Sequence, residues 1–247
     1  MPSLSGLYRY PLKSGRGEIL QRSAVDGLGL QGDRRWMLVD ADSGRFITQR
    51  LLPQMSQLSA LYDARGGLTL SAPGRDDLSV ALPDPEQNLR GVIVWRDTLR
   101  VPDAGDEAAE WLSALLGKPC RLVQVPEGRT RQVDTAYARP GDRVAFADGF
   151  PLLLISQASL DDLSQRVGQS LSMLRFRPNL VVTGSEPYAE DSWKRIRIGE
   201  VEFEVAKGCS RCILTTIDPQ TGERNAQREP LATLKTYRER EGDVFFG

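Results

Sequence analysis

The chain has 247 residues, of which 40% are hydrophobic and 26% are charged, and its formal net charge is −1. That balance leaves no basic field to collect nucleic acid or an anionic membrane surface, and no apolar run approaches the ~20 residues that a membrane span needs. The first residues carry no signal-peptide pattern, and three cysteines do not make a disulfide framework. We therefore expect a cytoplasmic protein with no nucleic-acid or membrane partner.

Short strand patterns fill the N-terminal half of the chain. The first run, "SGLYRYPLKS", is stopped by Pro11, and two later stretches read as hairpins around an Asp-Ser-Gly turn and around Gly66-Gly67. The remaining runs are "LSVALPDPEQ" and "RGVIVWRDTLRV". Many short strands at close spacing indicate a small antiparallel barrel or sandwich.

The C-terminal half mixes helical and strand patterns. Helices are predicted in "DEAAEWLSALLGKP", in "SQASLDDLSQRV" with Ser156 or Ser159 as its N-cap, and in "REPLATLKTYRERE". Strands are predicted in "PLLLIS" and "NLVVTG", and a hairpin in "RIRIGEVEFEV" around Gly199-Glu200. The fold class that follows is mostly β with α+β elements, and we expect the two halves to pack together.

A CxxC motif, Cys209 and Cys212 in "KGCSRC", is the most specific short signal. The simplest interpretation is two small buried hydrophobic residues. The ligand count argues against a zinc site, which needs about four Cys or His ligands, because the chain has no histidine and only Cys120 besides the pair. Thioredoxin-like chemistry needs a helix after the motif, whereas the β-branched "ILTTI" predicts a strand. A thiolate ligand to a metal and a sulfur-handling nucleophile remain open, and the flanking Lys207 and Arg211 would favour the thiolate.

Three further stretches place cations in Gly- or Pro-shaped loops. They are "YPLKSGRG" with Lys13 and Ser14, "GLGLQGDRRW" with Arg34, and "RFRPN" with Arg177. Such loops suit a phosphate or another anion, although a solvated lysine or an arginine paired with a structural carboxylate would look the same. No phosphate-binding P-loop, dinucleotide fingerprint or nucleophile elbow accompanies them.

Taken together with "EDSWKRIRIG" and "CSRCILTTIDPQTGERN", these stretches resemble the MOSC-domain proteins that carry an N-terminal MOSC β-barrel domain, a group that includes the mitochondrial amidoxime reducing components. The resemblance runs from about residue 4 to about residue 240. It implies an N-terminal β-barrel-like domain over 1–118, packed against a MOSC-type β-barrel domain with a few helices over 119–247. From the resemblance we expect the C-terminus, which ends at "GDVFFG", to be shorter than is usual in the family.

The resemblance also implies a molybdenum cofactor, a metal held by the dithiolene of a pterin and by one protein cysteine. Cys212 matches the metal ligand and catalytic cysteine, whereas Cys209 has no ligand role in the motif. Asp148 matches a position near the metal, where it would position substrate or move a proton. The residues matching cofactor contacts are Lys13, Ser14, Arg34, Arg177, Asn179, Ser210 and Arg211.

The activity implied by the resemblance is reduction of N-hydroxylated compounds: hydroxylamines, amidoximes and N-hydroxylated bases. The chain has no four-cysteine iron–sulfur pattern, so we expect a separate ferredoxin-like or reductase-like protein to donate the electrons. The alternative is a protein without reductase activity that carries a persulfide sulfur or the molybdenum cofactor itself.

Overall fold

Strands dominate the structure, a computed structural model that describes residues 1–247. The strands of the first half are β1 Ser3–Arg9, β2 Glu18–Ile19, β3 Val25–Asp26, β4 Gly29–Leu30, β5 Trp36–Asp40, β6 Ser59–Tyr62, β7 Leu68–Ser71, β8 Leu78–Val80, β9 Leu89–Val94 and β10 Asp97–Pro102. Those of the second half are β11 Cys120–Gln124, β12 Arg131–Gln132, β13 Arg143–Val144, β14 Leu154–Ser156, β15 Leu180–Thr183, β16 Arg195–Ile198, β17 Val201–Glu204, β18 Ser210–Arg211, β19 Glu239–Arg240 and β20 Asp243–Phe245. The helices are α1 Asp106–Leu116, α2 Gln157–Val167 and α3 Leu231–Arg238. The predicted class, mostly β with a few helices, is confirmed.

Strand pairing gives several small open sheets of two to four strands, and none of them closes on itself. The closed barrels that the resemblance implied are therefore not formed by continuous ladders. Short strands are the physical reason: the run predicted after the Asp-Ser-Gly turn contributes only isolated bridges, Val39 to Phe46 and Arg45 to Ile93.

The two halves of the chain share their sheets. β1 pairs antiparallel with β15, which in turn pairs parallel with β14, so the first strand is built into a sheet of the C-terminal half. In the other direction, β11 pairs antiparallel with β5. The halves therefore pack together as expected, while the boundary between 118 and 119 stays a prediction.

The helix ends follow the local signals in the sequence. The side chain of Ser156 caps α2 by accepting a hydrogen bond from the Ser159 N–H at 3.1 Å. Gly117 ends α1 in the left-handed conformation with a φ of 66°. α3 begins directly after Pro230. All three predicted helices are confirmed by the structure.

One predicted strand is wrong. The residues after Cys212, Ile213–Thr216, form a 3₁₀ turn, and only Ile217 makes a bridge to Arg224. The hydroxyls of Thr215 and Thr216 donate to the carbonyls of Cys212 and Ile213, at 3.0 and 2.7 Å. These local bonds compete with a strand ladder and outweigh the β-branched composition.

Fully buried apolar residues anchor the loops that carry the predicted site residues. Leu12 is 0% exposed and precedes Lys13, and Phe176 is 1% exposed and precedes Arg177. Phe146, 0% exposed, lies two residues before Asp148. Because such side chains are fixed in close-packed cores, the polar residues next to them are held at defined positions.

Candidate functional site

All the site residues predicted from the sequence line one cleft of about 1120 Å³. They come from stretches far apart in the chain. The pairing of β1 with β15 brings the loop of Lys13 and Ser14 next to Arg177, whose Nη1 donates to the Gly15 carbonyl. The predicted residues on the cleft wall are Lys13, Ser14, Arg34, Asp148, Arg177, Asn179, Ser210, Arg211 and Cys212.

Lys13 is a buried cation on the wall of the cleft. Its Nζ donates to the Phe146 carbonyl at 2.7 Å and forms an ion pair with Asp148. Only 5% of the residue is exposed, and burial lowers the pKa of the ammonium against the opposing attraction of the Asp148 carboxylate. Lys13 thus depends on Asp148 for its compensating charge.

Asp148 presents its carboxylate to the cleft with two hydrogen-bond donors and a second cation around it. Besides Lys13, the Trp95 indole Nε1 donates to Oδ1 at 3.2 Å, and Arg50 Nη2 lies 3.6 Å from Oδ2. Desolvation raises the pKa of Asp148, but the charge and the hydrogen bond of Lys13, together with the Arg50 charge, outweigh it and hold that pKa well below its usual range. Asp148 is therefore ionised at neutral pH.

Arg34 and Arg177 share one aromatic neighbour. Each guanidinium carbon lies 4.2 Å from the centroid of the Tyr10 ring, and burial raises the pKa of the Tyr10 phenol to about 12. Arg34 donates to Asp33 at 2.5 Å, to Asn179 Oδ1 at 2.9 Å and to the Arg177 carbonyl at 3.0 Å. These hydrogen bonds of Arg34 and Asn179 therefore hold the loops together.

Arg177 has an unused donor. Its Nη1 donates to the Gly15 carbonyl at 2.6 Å, whereas its Nη2 is buried with no hydrogen-bond partner. Burial, together with the nearby Arg34 charge, lowers the pKa of Arg177 to about 10. A buried guanidinium with an unsatisfied N–H is costly unless an acceptor or an anion meets it.

Three of the predicted site residues have a strained backbone. Ser14, Arg34 and Arg177 have φ values of 63°, 47° and 57°, in the left-handed region that favours glycine. Such conformations persist where the surroundings over-determine them, and they cluster at ligand sites. Here the strain coincides with the three cation loops that the sequence singled out.

The two cysteines of the CxxC motif have different surroundings. The backbone of Cys209 exchanges hydrogen bonds with Gly247 and Phe246, and its Sγ lies 2.9 Å from Arg211 Nη1. The Sγ of Cys212 instead accepts from Arg50 Nε at 3.3 Å. All three cysteines of the chain are free.

Lys207 and Arg211, the cations that flank the motif in the sequence, do not contact the Cys212 sulfur. Lys207 lies over the Tyr137 ring at 4.5 Å, and Arg211 contacts Cys209 and not Cys212. Arg211 also donates to the Phe176 carbonyl at 2.7 Å, and its buried Nε has no partner. Ser210 is exposed on the cleft wall, while Cys120 is buried in the core under α1.

The motif is not arranged for a disulfide. Ser210 and Arg211, between the two cysteines, are extended and pair with β20. Three residues of extended chain span about 10 Å between Cα atoms, whereas a disulfide needs a Cα separation of about 4.4–6.8 Å. A bridge between Cys209 and Cys212 would require the strand to unpair.

Arg50 and Trp95 were not predicted, yet both line the cleft beside Cys212 and Asp148. Arg50 ends the "FITQR" run, and Trp95 sits at the turn of the β9–β10 hairpin. Neither belongs to a motif with a recognised chemistry. The one available signal was a bulky aromatic residue in a hairpin turn, where small residues are usual.

The side chains of the cleft fit an anionic cofactor that carries a metal able to bind a thiolate. Arg177 and Arg211 offer buried N–H groups with no acceptor, which suit a phosphate. Cys212 offers one sulfur. Nowhere do three or more Cys, Asp or Glu side chains gather around a common point, so a metal at Cys212 would take its other ligands from a bound group.

Comparison with known proteins gives matches along nearly the whole chain. Residues 1–119 match the MOSC N-terminal beta barrel domain, and residues 141–247 match the MOSC domain. Human mitochondrial amidoxime-reducing component 1 is 36% identical over 247 residues, covering 96% of this chain and 72% of that protein. Human component 2 is 35% identical over 245 residues, with the same two coverages.

A rice molybdenum cofactor sulfurase is 32% identical over 262 residues, covering 99% of this chain and 32% of that protein. None of the helices combines the length and the apolar character that crossing a membrane requires. The paired domain matches and the identities to the amidoxime-reducing components agree with each other. The chain belongs to the family of MOSC-domain proteins that carry an N-terminal MOSC beta barrel domain.

Proposed function

We propose that this protein is a molybdenum-cofactor-dependent reductase of N-hydroxylated compounds, namely hydroxylamines, amidoximes and N-hydroxylated bases. The observation that carries the proposal is the convergence of distant loops, with their cations and Cys212, on one cleft. The names of the relatives, amidoxime-reducing components at 35–36% identity, support the same class of substrate.

In this proposal Cys212 is the protein ligand of the metal. The anionic parts of the cofactor face five side chains: Lys13, Ser14, Arg177, Ser210 and Arg211. Arg34 and Asn179 hold the loops that carry these side chains. When bound, the molybdenum cofactor supplies the two-electron chemistry that removes oxygen from an N–O bond. The protein contributes orientation, charge and a shaped approach to the metal.

Asp148 positions the substrate in this scheme. Its side chain is 56% exposed, and its carboxylate stays ionised because Lys13 and Arg50 stabilise the charge. An ionised carboxylate with a depressed pKa is a good hydrogen-bond acceptor and a poor proton donor at neutral pH. Asp148 would therefore accept a hydrogen bond from the N–H or O–H of an amidoxime or hydroxylamine.

Electrons would reach the site from a separate ferredoxin-like or reductase-like protein. The names of the two human relatives place those proteins in mitochondria. The cytoplasmic location of this protein stays a prediction.

The test is to produce the protein in a host that makes the cofactor and to measure bound molybdenum and pterin. The holoprotein should then reduce benzamidoxime or hydroxylaminopurine with a chemical electron donor. Absence of turnover at full molybdenum occupancy would contradict the proposed reaction.

A second candidate is a carrier of persulfide sulfur or of the cofactor. The free, half-buried thiol of Cys212, next to the Arg50 cation, would also suit a persulfide, and one relative is named a molybdenum cofactor sulfurase. Metal-free protein that bears a persulfide on Cys212 after purification would favour the carrier.

A further inference from the structure

Arg50 connects Cys212 to Asp148. Its Nε donates to the Cys212 sulfur at 3.3 Å, and its Nη2 lies 3.6 Å from Asp148 Oδ2. The guanidinium carbon also lies 5.0 Å from the centroid of the Trp95 ring. The Cys212 sulfur, the Asp148 carboxylate and the Trp95 ring thus each contact the Arg50 guanidinium. Together these contacts leave the guanidinium little freedom beside the sulfur.

Trp95 supports this arrangement from a strained position. It lies at the two-residue turn between β9 and β10 with a φ of 55°. For a bulky residue the left-handed conformation costs about 1–2 kcal/mol. The indole is 42% exposed, packs 5.0 Å from the Phe46 ring and donates its N–H to Asp148. An exposed aromatic ring in a strained turn is unusual unless its contacts are needed.

We propose that Arg50, held in place by Trp95, is a positioning residue that orients the Cys212 sulfur towards the metal. The proposal rests on the proposed function, in which Cys212 is the metal ligand. Groups that hydrogen-bond to a metal ligand fix its orientation and tune its electron density. The rigid fork of arginine holds the sulfur with Nε and faces the carboxylate with Nη2, two separate nitrogens in a fixed geometry, whereas a lysine would have to approach both groups with a single nitrogen.

The experiment compares holoproteins of the wild type, Arg50→Met, Arg50→Lys, Trp95→Ala and Cys212→Ala. Arg96→Met is the matched control, because Arg96 is exposed in the same hairpin turn and does not line the cleft. Two quantities are measured: the rate of molybdenum loss on dialysis, and the electron paramagnetic resonance spectrum of the metal after one-electron reduction with dithionite to its paramagnetic state.

We expect Arg50→Met to lose molybdenum roughly tenfold faster than the wild type and to shift the spectrum. Arg50→Lys should restore the retention only in part, Trp95→Ala should show a smaller shift in the same direction, and Arg96→Met should match the wild type. A purely structural role for Arg50 would lower thermal stability without shifting the spectrum of the metal that remains.

Two failures are distinguishable. If Cys212→Ala loses molybdenum but Arg50→Met retains it with an unchanged spectrum, the role of Arg50 is overturned and the proposed function stands. If Cys212→Ala keeps its molybdenum, the ligand assignment is wrong and the role of Arg50 falls with it. Should Arg50→Met fail to fold, Arg50→Lys decides the question, since a spectrum identical to that of the wild type would overturn the proposal.

Discussion

The Lys13 ammonium and the Asp148 carboxylate form an ion pair that joins the two matched domains. Lys13 lies within residues 1–119 and Asp148 within residues 141–247. The lysine is 5% exposed, whereas the Asp148 side chain is 56% exposed. Loss of the carboxylate would therefore leave a buried cation with the Phe146 carbonyl as its remaining close partner.

The first prediction concerns the substitution Asp148→Asn. It should lower the free energy of unfolding at pH 7 by about 1 kcal/mol, a small value for a pair with a buried cation because the Asp148 side chain is half exposed and solvent partly screens its charge. The folded pKa of Asp148 is depressed. Its contribution is thus present above the unfolded pKa of about 4 and is lost as the pH falls through the folded pKa.

Urea unfolding at pH 7 and pH 3 measures this effect. The difference in stability between the wild type and Asp148→Asn should shrink at the lower pH. Asp77→Asn, at an exposed position, is the control and should show no such pH dependence. A difference of constant size from pH 7 to pH 3 would show that the lost stability is unrelated to the charge.

Local signals in the sequence were enough for much of the fold. The hairpin of β6 and β7 follows from two apolar runs separated by Gly66-Gly67, and Ser156 caps α2. Turn residues, helix caps and periodicity each depend on a few neighbouring residues, so they can be recognised in a single sequence. The pairing of β1 with β15 depends on contacts between distant segments, and no local pattern specifies it.

For the site, motifs identified the loops but not the partners of each side chain. The likeness of "CSRCILTT" to a family motif picked out Cys212, yet the cation that contacts its sulfur is Arg50, from a run with no motif. The ammonium of the flanking Lys207 instead lies over the Tyr137 ring. Sequence neighbours of an extended strand alternate between its faces, so proximity in the chain was a poor guide to proximity at the sulfur.

The second prediction concerns the unsatisfied donor of Arg177. Inorganic phosphate should stabilise the cofactor-free wild type, because an anion would satisfy the buried Nη2. Phosphate at ten times its Kd stabilises by about 1.4 kcal/mol, which corresponds to a Tm increase of about 2–4 °C in a chain of this size. In Arg177→Met the increase should vanish.

Thermal melts with and without phosphate, at constant ionic strength, measure this effect. Arg45→Met, at an exposed position outside the cleft, should keep the full increase. An equal increase in Arg177→Met would place the anion elsewhere.

The third prediction concerns the turn between β19 and β20. Glu241 and Gly242 have φ values of 53° and 85°, and the flanking residues Arg240 and Asp243 pair directly. Both turn residues are thus in the left-handed region, where Asn-Gly is the preferred pair. Glu241→Asn should raise the free energy of unfolding by about 0.5–1 kcal/mol.

Urea unfolding again gives the measurement. Gly242→Ala should act in the opposite direction, because a side chain at its φ is strained. Unchanged stability in Glu241→Asn, together with a loss in Gly242→Ala, would contradict the prediction. It would mean that contacts of the exposed Glu241 side chain offset the strain of its backbone.

The last prediction separates the two cysteines of the motif. Cys209 is tied by its backbone to Gly247 and Phe246, bonds that an alanine would keep. Cys212 offers its sulfur to the cleft next to Arg50. Protein made in a cofactor-producing host should therefore keep its molybdenum in Cys209→Ala and lose most of it in Cys212→Ala, as metal analysis would measure. Equal loss in both variants would mean that the sulfurs act as a pair, which the extended strand between them opposes.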